Sequence, residues 1–231
     1  MQIYGAGSLE DIRKCSKLGV KGILTNPQGF EQYFENKHTL EEITSLILEN
    51  THLPVYIQIH GETSENLVNR GQMLHKLDER VGFKIISDEK GFMAIGELQK
   101  EGIDCIATTL FTPAQAAVAA SVGAFGICPF VSRAEAAGLD ALKMLRTVKT
   151  GYLKLEKAPE IIAVSLKTVE DIELALEAGA DSVGMRYPLL QEMMYHPLSE
   201  KAEKLFSRNW ANVKGEDVSY IDSKNVDGIA E

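Results

Sequence analysis

Val81-Gly82-Phe83-Lys84-Ile85-Ile86 is an apolar run with one lysine in its middle. Asp78 and Arg80 precede it and Ser87-Asp88-Glu89 follow it. A run this short between polar flanks suits a buried strand better than a helix. An ammonium group inside such a strand is poorly solvated, which favours the neutral amine. A neutral amine attacks carbonyls, the property that makes a Schiff-base lysine. The alternative is a lysine that snorkels from an edge strand to water. The pattern on either side of the run bears on that choice.

Outward from this run, short apolar stretches alternate with amphipathic ones. Gln2–Tyr4, Gly22–Thr25, Pro54–His60, Val81–Ile86, Asp104–Thr109, Ala124–Phe130, Ile161–Ser165 and Ser182–Met185 read as strands. Between them the spacing predicts helices. One is capped by Ser8 with Asp11 in a capping box, places Ile12, Cys15 and Leu18 inward, and ends at Gly19. Others cover Leu40–Leu48, Ser64–Leu77 and the residues up to Lys100, and one opens at Pro113. Further helices start from about Leu139, cover Val169–Ala178, and run over the polar stretch Ser199–Trp210. Eight strand-like runs with no break in composition imply a parallel sheet with right-handed crossovers. In 231 residues they imply a single-domain (β/α)8 barrel with an extra C-terminal helix. The barrel and that helix are expected over residues 1–213. A polar, mobile tail is expected over 214–231.

The formal net charge of −9 argues against a nucleic-acid binder, which needs a basic face. It leaves room for a small anionic substrate at a locally positive site. Cys15, Cys105 and Cys128 are odd in number and include no C-x-x-C pair. Neither a disulfide framework nor a metal site is expected, and a reducing, cytoplasmic setting is. The opening Met1-Gln2-Ile3-Tyr4 reads as a strand, not as a leader peptide. Residues Cys105 to Ser132 carry no charge, but Pro113, Gly123, Gly126 and Pro129 break them into strand, helix and strand, so no membrane partner is expected. Gly5-Ala6-Gly7 invites a dinucleotide fingerprint, yet Glu10 stands where a small residue is required.

Barrel enzymes place their chemistry at the C-terminal ends of the strands. The polar residues at those ends are Thr25-Asn26, Gln58, His60, Lys84, Thr108-Thr109, Ser132-Arg133, Ser165 and Lys167. Residues two apart on a strand share a face, so Gln58 and His60 point the same way. Gln58, Lys84 and Thr108, on neighbouring strands, are expected at similar depth in one constellation.

Leu24-Thr25-Asn26-Pro27, Gln58, Lys84, Ala107-Thr108-Thr109, Pro129-Phe130-Val131-Ser132-Arg133 and Ser165-Leu166-Lys167-Thr168 follow one another in this order. With Tyr195-His196-Pro197 before the last helix, the chain resembles the small transaldolases and fructose-6-phosphate aldolases from Met1 to about Trp210. The resemblance implies a class I enzyme that needs no cofactor and cleaves or forms a carbon–carbon bond through a lysine imine. Lys84 would form that imine with the carbonyl of a ketose phosphate or a similar anionic sugar. Asn26, beside Thr25, would bind hydroxyls of the dihydroxyacetone unit, and Gln58 and Thr108 would hold a proton-relaying water. Arg133 and Ser165 would bind the anionic end, with Lys167 and Phe130 completing the substrate-binding set. Phe130 is transaldolase-like, whereas Gln58 is aldolase-like. A homo-oligomer, pentamer or decamer, is also implied, with Trp210 a natural contact. One departure stands out. The family carries an aspartate acid/base at the end of strand one, and Ala6 stands there. The replacement candidates are His60, Glu62, Asp88 and Glu89, of which only His60 ordinarily titrates near neutrality. The alternative function is a barrel relative that binds sugar phosphates without efficient turnover.

Overall fold

Every strand finds a parallel neighbour on both sides, and the sheet closes in sequence order from β1 to β8 and back to β1. The computed structural model describes residues 1–211. It divides into two compact units, Met1–Leu190 and a second that starts at Gln191. The stretch 214–231 expected as a polar tail lies outside the described residues. The first unit opens with β1 (Gln2–Ala6), α1 (Leu9–Ser16) and β2 (Gly22–Leu24). A 3-10 turn (Pro27–Phe30), α2 (Glu31–Glu35), α3 (Leu40–Glu49) and β3 (Val55–Gln58) come next. The chain continues through α4 (Ser64–His75), β4 (Val81–Ile86), α5 (Glu89–Lys100) and β5 (Cys105–Leu110). Then come α6 (Pro113–Ser121), β6 (Gly126–Pro129), α7 (Val131–Ala136) and α8 (Ala141–Tyr152). Last are β7 (Glu160–Ala163), α9 (Val169–Glu177), β8 (Ser182–Arg186), α10 (Tyr187–Met194) and, in the second unit, α11 (Pro197–Ala211). No helix among the described residues is long and apolar enough to cross a membrane.

The expected barrel is present, with local differences. The helix expected from about Leu139 is α8, which Asp140 caps through Lys143 N, but a short helix that was not expected, α7, precedes it and ends before Gly138 at φ +79°. Arg133 therefore sits on α7, in the first turns after β6, and not on a strand end. Leu18 falls beyond α1 and is exposed. The capping box at Ser8 and Asp11 forms as expected, and Thr39–Glu42, Thr112–Gln115 and Thr168–Asp171 make three more. Each satisfies backbone N–H groups that the first helical turn leaves free.

Tyr4, Leu24, Tyr56, Ile106, Cys128, Ile162 and Val164 pack on one another. They come from strands all around the ring, so the place where they meet is the barrel interior. Phe83, Ile85 and Ile57 lie on the alternate face, buried between sheet and helices. At the N-terminal end of the strands Glu160 closes the floor. It accepts from Tyr4 Oη at 2.7 Å, Lys21 Nζ at 2.7 Å and Ser182 Oγ at 2.5 Å. Buried polar groups are stable in such a place only when paired.

Candidate functional site

Lys84 is the Cα partner of Gln58 on β3 and of Ile106 on β5. Partners across a parallel ladder point to the same side, and Ile106 belongs to the interior cluster. Lys84 thus points into the barrel, and the edge-strand alternative is excluded because the closed barrel has no edge. Two residues before it, Gly82 shares its face. A Cβ there would stand 2.9 Å from the Tyr56 ring and 2.5 Å from the Asp104 carbonyl oxygen. Glycine lets Tyr56 fill the barrel directly beneath the lysine.

Lys84 is 5% exposed and has no carboxylate or hydrogen-bond partner among the described residues. Burial pushes its amine below the ordinary lysine range. Cys128 opposes this in part, and the Arg133 guanidinium adds to it. The same burial pushes the Cys128 thiol up to about 12, leaving it a neutral wall of the site.

Thr108 does not lie level with Lys84, as expected, but one inward layer higher. Its Cα partner is Ile86, while Lys84 pairs with Ile106. The stagger of strands in a closed barrel produces this offset. Thr108 is fully buried, and its Oγ1 has no hydrogen-bond partner among the described residues. A buried hydroxyl without a partner is costly and marks a place built to meet another polar group. Above it, Thr109 takes φ +58° where the β5–β6 register shifts, and Ser165 takes φ +62° just beyond β7. A left-handed backbone at a β-branched residue is strained, and such strain gathers at functional sites.

Arg133 reaches this group from α7. Its guanidinium lies over the Phe130 ring, 5.0 Å from the centroid, and makes no ion pair among the described residues. The backbone joins the tops of β6 and β7, since Val131 N donates to Val164 O and Ser132 N to Ser165 O. Lys167 is exposed, and its backbone N donates to Asp171 Oδ2.

The remaining candidates form a second group. Thr25, Asn26, Gln58 and His60 line a cleft of about 460 Å³ with Phe30, Ile43 and Met73, over the tops of β2 and β3. Thr25 Oγ1 accepts from Gln58 N at 2.9 Å, and Asn26 Oδ1 accepts from Gly29 N at 2.9 Å. Lys84 does not line this cleft; Gln58 connects the groups, because it shares Lys84's inward face. His60 is exposed, and its carbonyl accepts from Arg70 Nη1. Asp88 is spent as the cap of α5 through Gly91 N. A larger cavity, about 590 Å³, lies at the floor among Lys21, Asp104, Glu160 and Asp181. That is the end of the barrel away from the chemistry of this fold.

Sequence reasoning missed Arg186. It ends β8 as the Cα partner of Ala6 and pairs with the buried Asp11. Asp11 was read only as a cap. Its contact lies 175 residues away, and no local pattern carries that information.

Comparison with known proteins adds three findings. Residues 6–230 match the model of the family described as Transaldolase/Fructose-6-phosphate aldolase. A protein of Bdellovibrio bacteriovorus named "Probable transaldolase" is 33% identical over 203 residues, spanning 87% of this chain and 93% of that protein. One of Roseiflexus sp. with the same name is 31% identical over 91% of this chain and 97% of its own length. Among solved structures, a putative phosphonomutase from Burkholderia cenocepacia superposes with a TM-score of 0.58 at 16% identity, covering 87% of this chain and 93% of that one. At that identity it supports the barrel fold alone.

Proposed function

The chain belongs to the transaldolase/fructose-6-phosphate aldolase family, and from that premise we propose that it works as a class I aldolase or transaldolase on an anionic ketose. The observation that carries this reading is Lys84, buried, pointing into the barrel and without a counter-ion among the described residues. Its neutral amine adds to the ketose carbonyl, and the adduct takes up a proton on its hydroxyl and loses water to give an iminium. The iminium then accepts the electron pair of the bond between its α and β carbons as that bond breaks and the β-hydroxyl gives up its proton. An aldehyde leaves and an enamine stays on Lys84. Protonation and hydrolysis complete a lyase cycle, and addition to a second aldehyde completes a transferase cycle. Gln58 and Thr108 hold the water that relays protons, and the orphan Thr108 hydroxyl supports that role. Arg133, stacked on Phe130 and with no ion-pair partner among the described residues, takes the anionic end as a planar fork. Ser165 and Lys167 assist it, and Thr25 and Asn26 face the dihydroxyacetone part.

Ala6 favours a second reading, a sugar-phosphate binder with slow turnover, since a methyl group transfers no proton. A panel of ketose phosphates, assayed for aldehyde release with and without an added acceptor aldehyde, separates the possibilities. Release from at least one ketose that is lost in Lys84→Met supports the enzyme. Tight binding without release supports the second reading.

The same kinship suggests a cytoplasmic homo-oligomer, a pentamer or decamer. Leu198, Phe206 and Trp210 of α11 are 68%, 59% and 56% exposed and recur at helical spacing. A subunit contact would bury them.

A further inference from the structure

Arg186 and Ala6 are Cα partners at the ends of β8 and β1. The face of Arg186 follows from Gly184, two residues earlier. A Cβ on Gly184 would meet Leu24, Val164 and Ile162, which fill the barrel interior. Alternation along the strand therefore starts the Arg186 side chain on the mouth side, beside Ala6. Its guanidinium then lies across the turn after β1. Nη2 donates to Asp11 Oδ2 at 3.1 Å and Nε approaches the same oxygen at 3.4 Å. A Cβ on Gly7, where φ is +116°, would stand 2.3 Å from Asp11 Oδ2 and 3.0 Å from Arg186 Nε. Glycine admits the pair at that position.

Asp11 is 8% exposed, and its Oδ2 also accepts from Ser8 N and Ser8 Oγ. It is a fixed anchor. It engages one edge of the guanidinium, while Nη1 has no partner among the described residues and the Arg186 side chain is 66% exposed. The resemblance implies a carboxylate at position six. In its place the molecule has a methyl group with a pre-oriented guanidinium beside it.

We propose that Arg186 is a specificity-determining residue that binds a second oxyanion of the substrate, phosphate or carboxylate, with Asp11 as its positioning residue. This rests on the reading of the mouth as a ketose site and narrows it to a ketose charged at both ends. Only β7 separates β6, which leads to Arg133, from β8. Two strand spacings, about 10 Å, separate the ends of those strands. A six-carbon ketose bearing an oxyanion at each end can bridge that distance. A planar fork is the group suited to hold the second one.

Calorimetric titration with fructose 6-phosphate and fructose 1,6-bisphosphate tests the proposal. The unmodified protein is expected to bind the bisphosphate about tenfold or more tighter, the scale of one charged hydrogen bond. Arg186→Gln should abolish that preference and leave the monophosphate affinity unchanged. Should this variant fail to fold, Arg186→Lys keeps the charge without the fork and must still diminish the preference. Equal affinity for both sugars in the unmodified protein, or a preference that survives in a folded variant, overturns it. A keto acid and a ketose phosphate used in turn tell carboxylate from phosphate. Reductive trapping of uncharged dihydroxyacetone on Lys84 reports separately on the imine, so failure of either reading is visible without the other.

Discussion

At Lys84 burial, with a smaller push from the Arg133 guanidinium, holds the amine below its ordinary range, and this has a consequence for stability. A lysine whose folded-state pKa is depressed loses stability as pH falls. Above the unfolded value of 10.5 both states are neutral. Below it the unfolded chain binds a proton that the folded chain refuses, until the depressed folded pKa is reached. Stability therefore rises with pH across that window. Lys84→Met removes the titrating group and keeps the bulk. The variant should melt higher than the unmodified protein at neutral pH, by roughly 2–4 °C per kcal/mol gained, and the difference should vanish above pH 10.5. Thermal melts at several pH values check this; a lower melting temperature at pH 7 would mean that the amine is paired and charged. A second residue-scale expectation concerns Ala6. General acid–base help is worth about two to four orders of magnitude in rate, so Ala6→Asp should raise the rate of ketose cleavage. Arg186, its cross-strand neighbour, would compete for the new carboxylate, so the gain should be greater in Ala6→Asp with Arg186→Gln. If Ala6→Asp changes nothing and His60→Ala removes activity, His60 carries the proton.

At the scale of elements, the link between α7 and α9 positions Arg133. Asp171 closes the capping box of α9 and accepts from Ser132 Oγ at 3.1 Å on α7. Burial acts to raise its pKa, but the hydrogen bonds from Lys167 N, Ser132 and Thr168 outweigh it and hold it low. That contribution is present above the unfolded value of 3.8 and is lost as pH falls below it. Asp171→Ala should cost about 1–2 kcal/mol, as cap removals do. It should also weaken binding of a sugar phosphate, because α7 loses its tether. Denaturant melts and titration measure the two effects together; a loss of stability with unchanged affinity would detach α7 from the anion site. Elements were legible where a period of two or of 3.6 runs unbroken, as in β4, α5 and β5. The short α7 was not, because its six residues are too few to show a period. α10 was missed for the same reason, directly after a strand with no capping residue in the sequence.

For the whole molecule, the closure of the barrel was legible because eight parallel strands have few other ways to bury both faces. The depth of residues was less so. Thr108 stands above Lys84 because closure staggers the strands, and stagger is a property of the ring, invisible in any one strand. The pair of Arg186 and Asp11 likewise exists only once β8 closes on β1. At this scale the expected assembly is also testable. If α11 forms subunit contacts, Phe206→Glu with Trp210→Glu should dissociate the oligomer to monomers in sedimentation velocity at micromolar concentration. A monomer before any change would end that proposal.

The central claim is that the amine of Lys84 forms an imine with a ketose. Borohydride reduction in the presence of dihydroxyacetone or a ketose phosphate, followed by mass measurement of the peptide that contains Lys84, tests it most directly. The expected result is a stable adduct on Lys84, at pH values well below the 10.5 of an ordinary lysine, and none in Lys84→Met. An adduct that persists in Lys84→Met, or an unmodified Lys84 under every ketose tried, would contradict it.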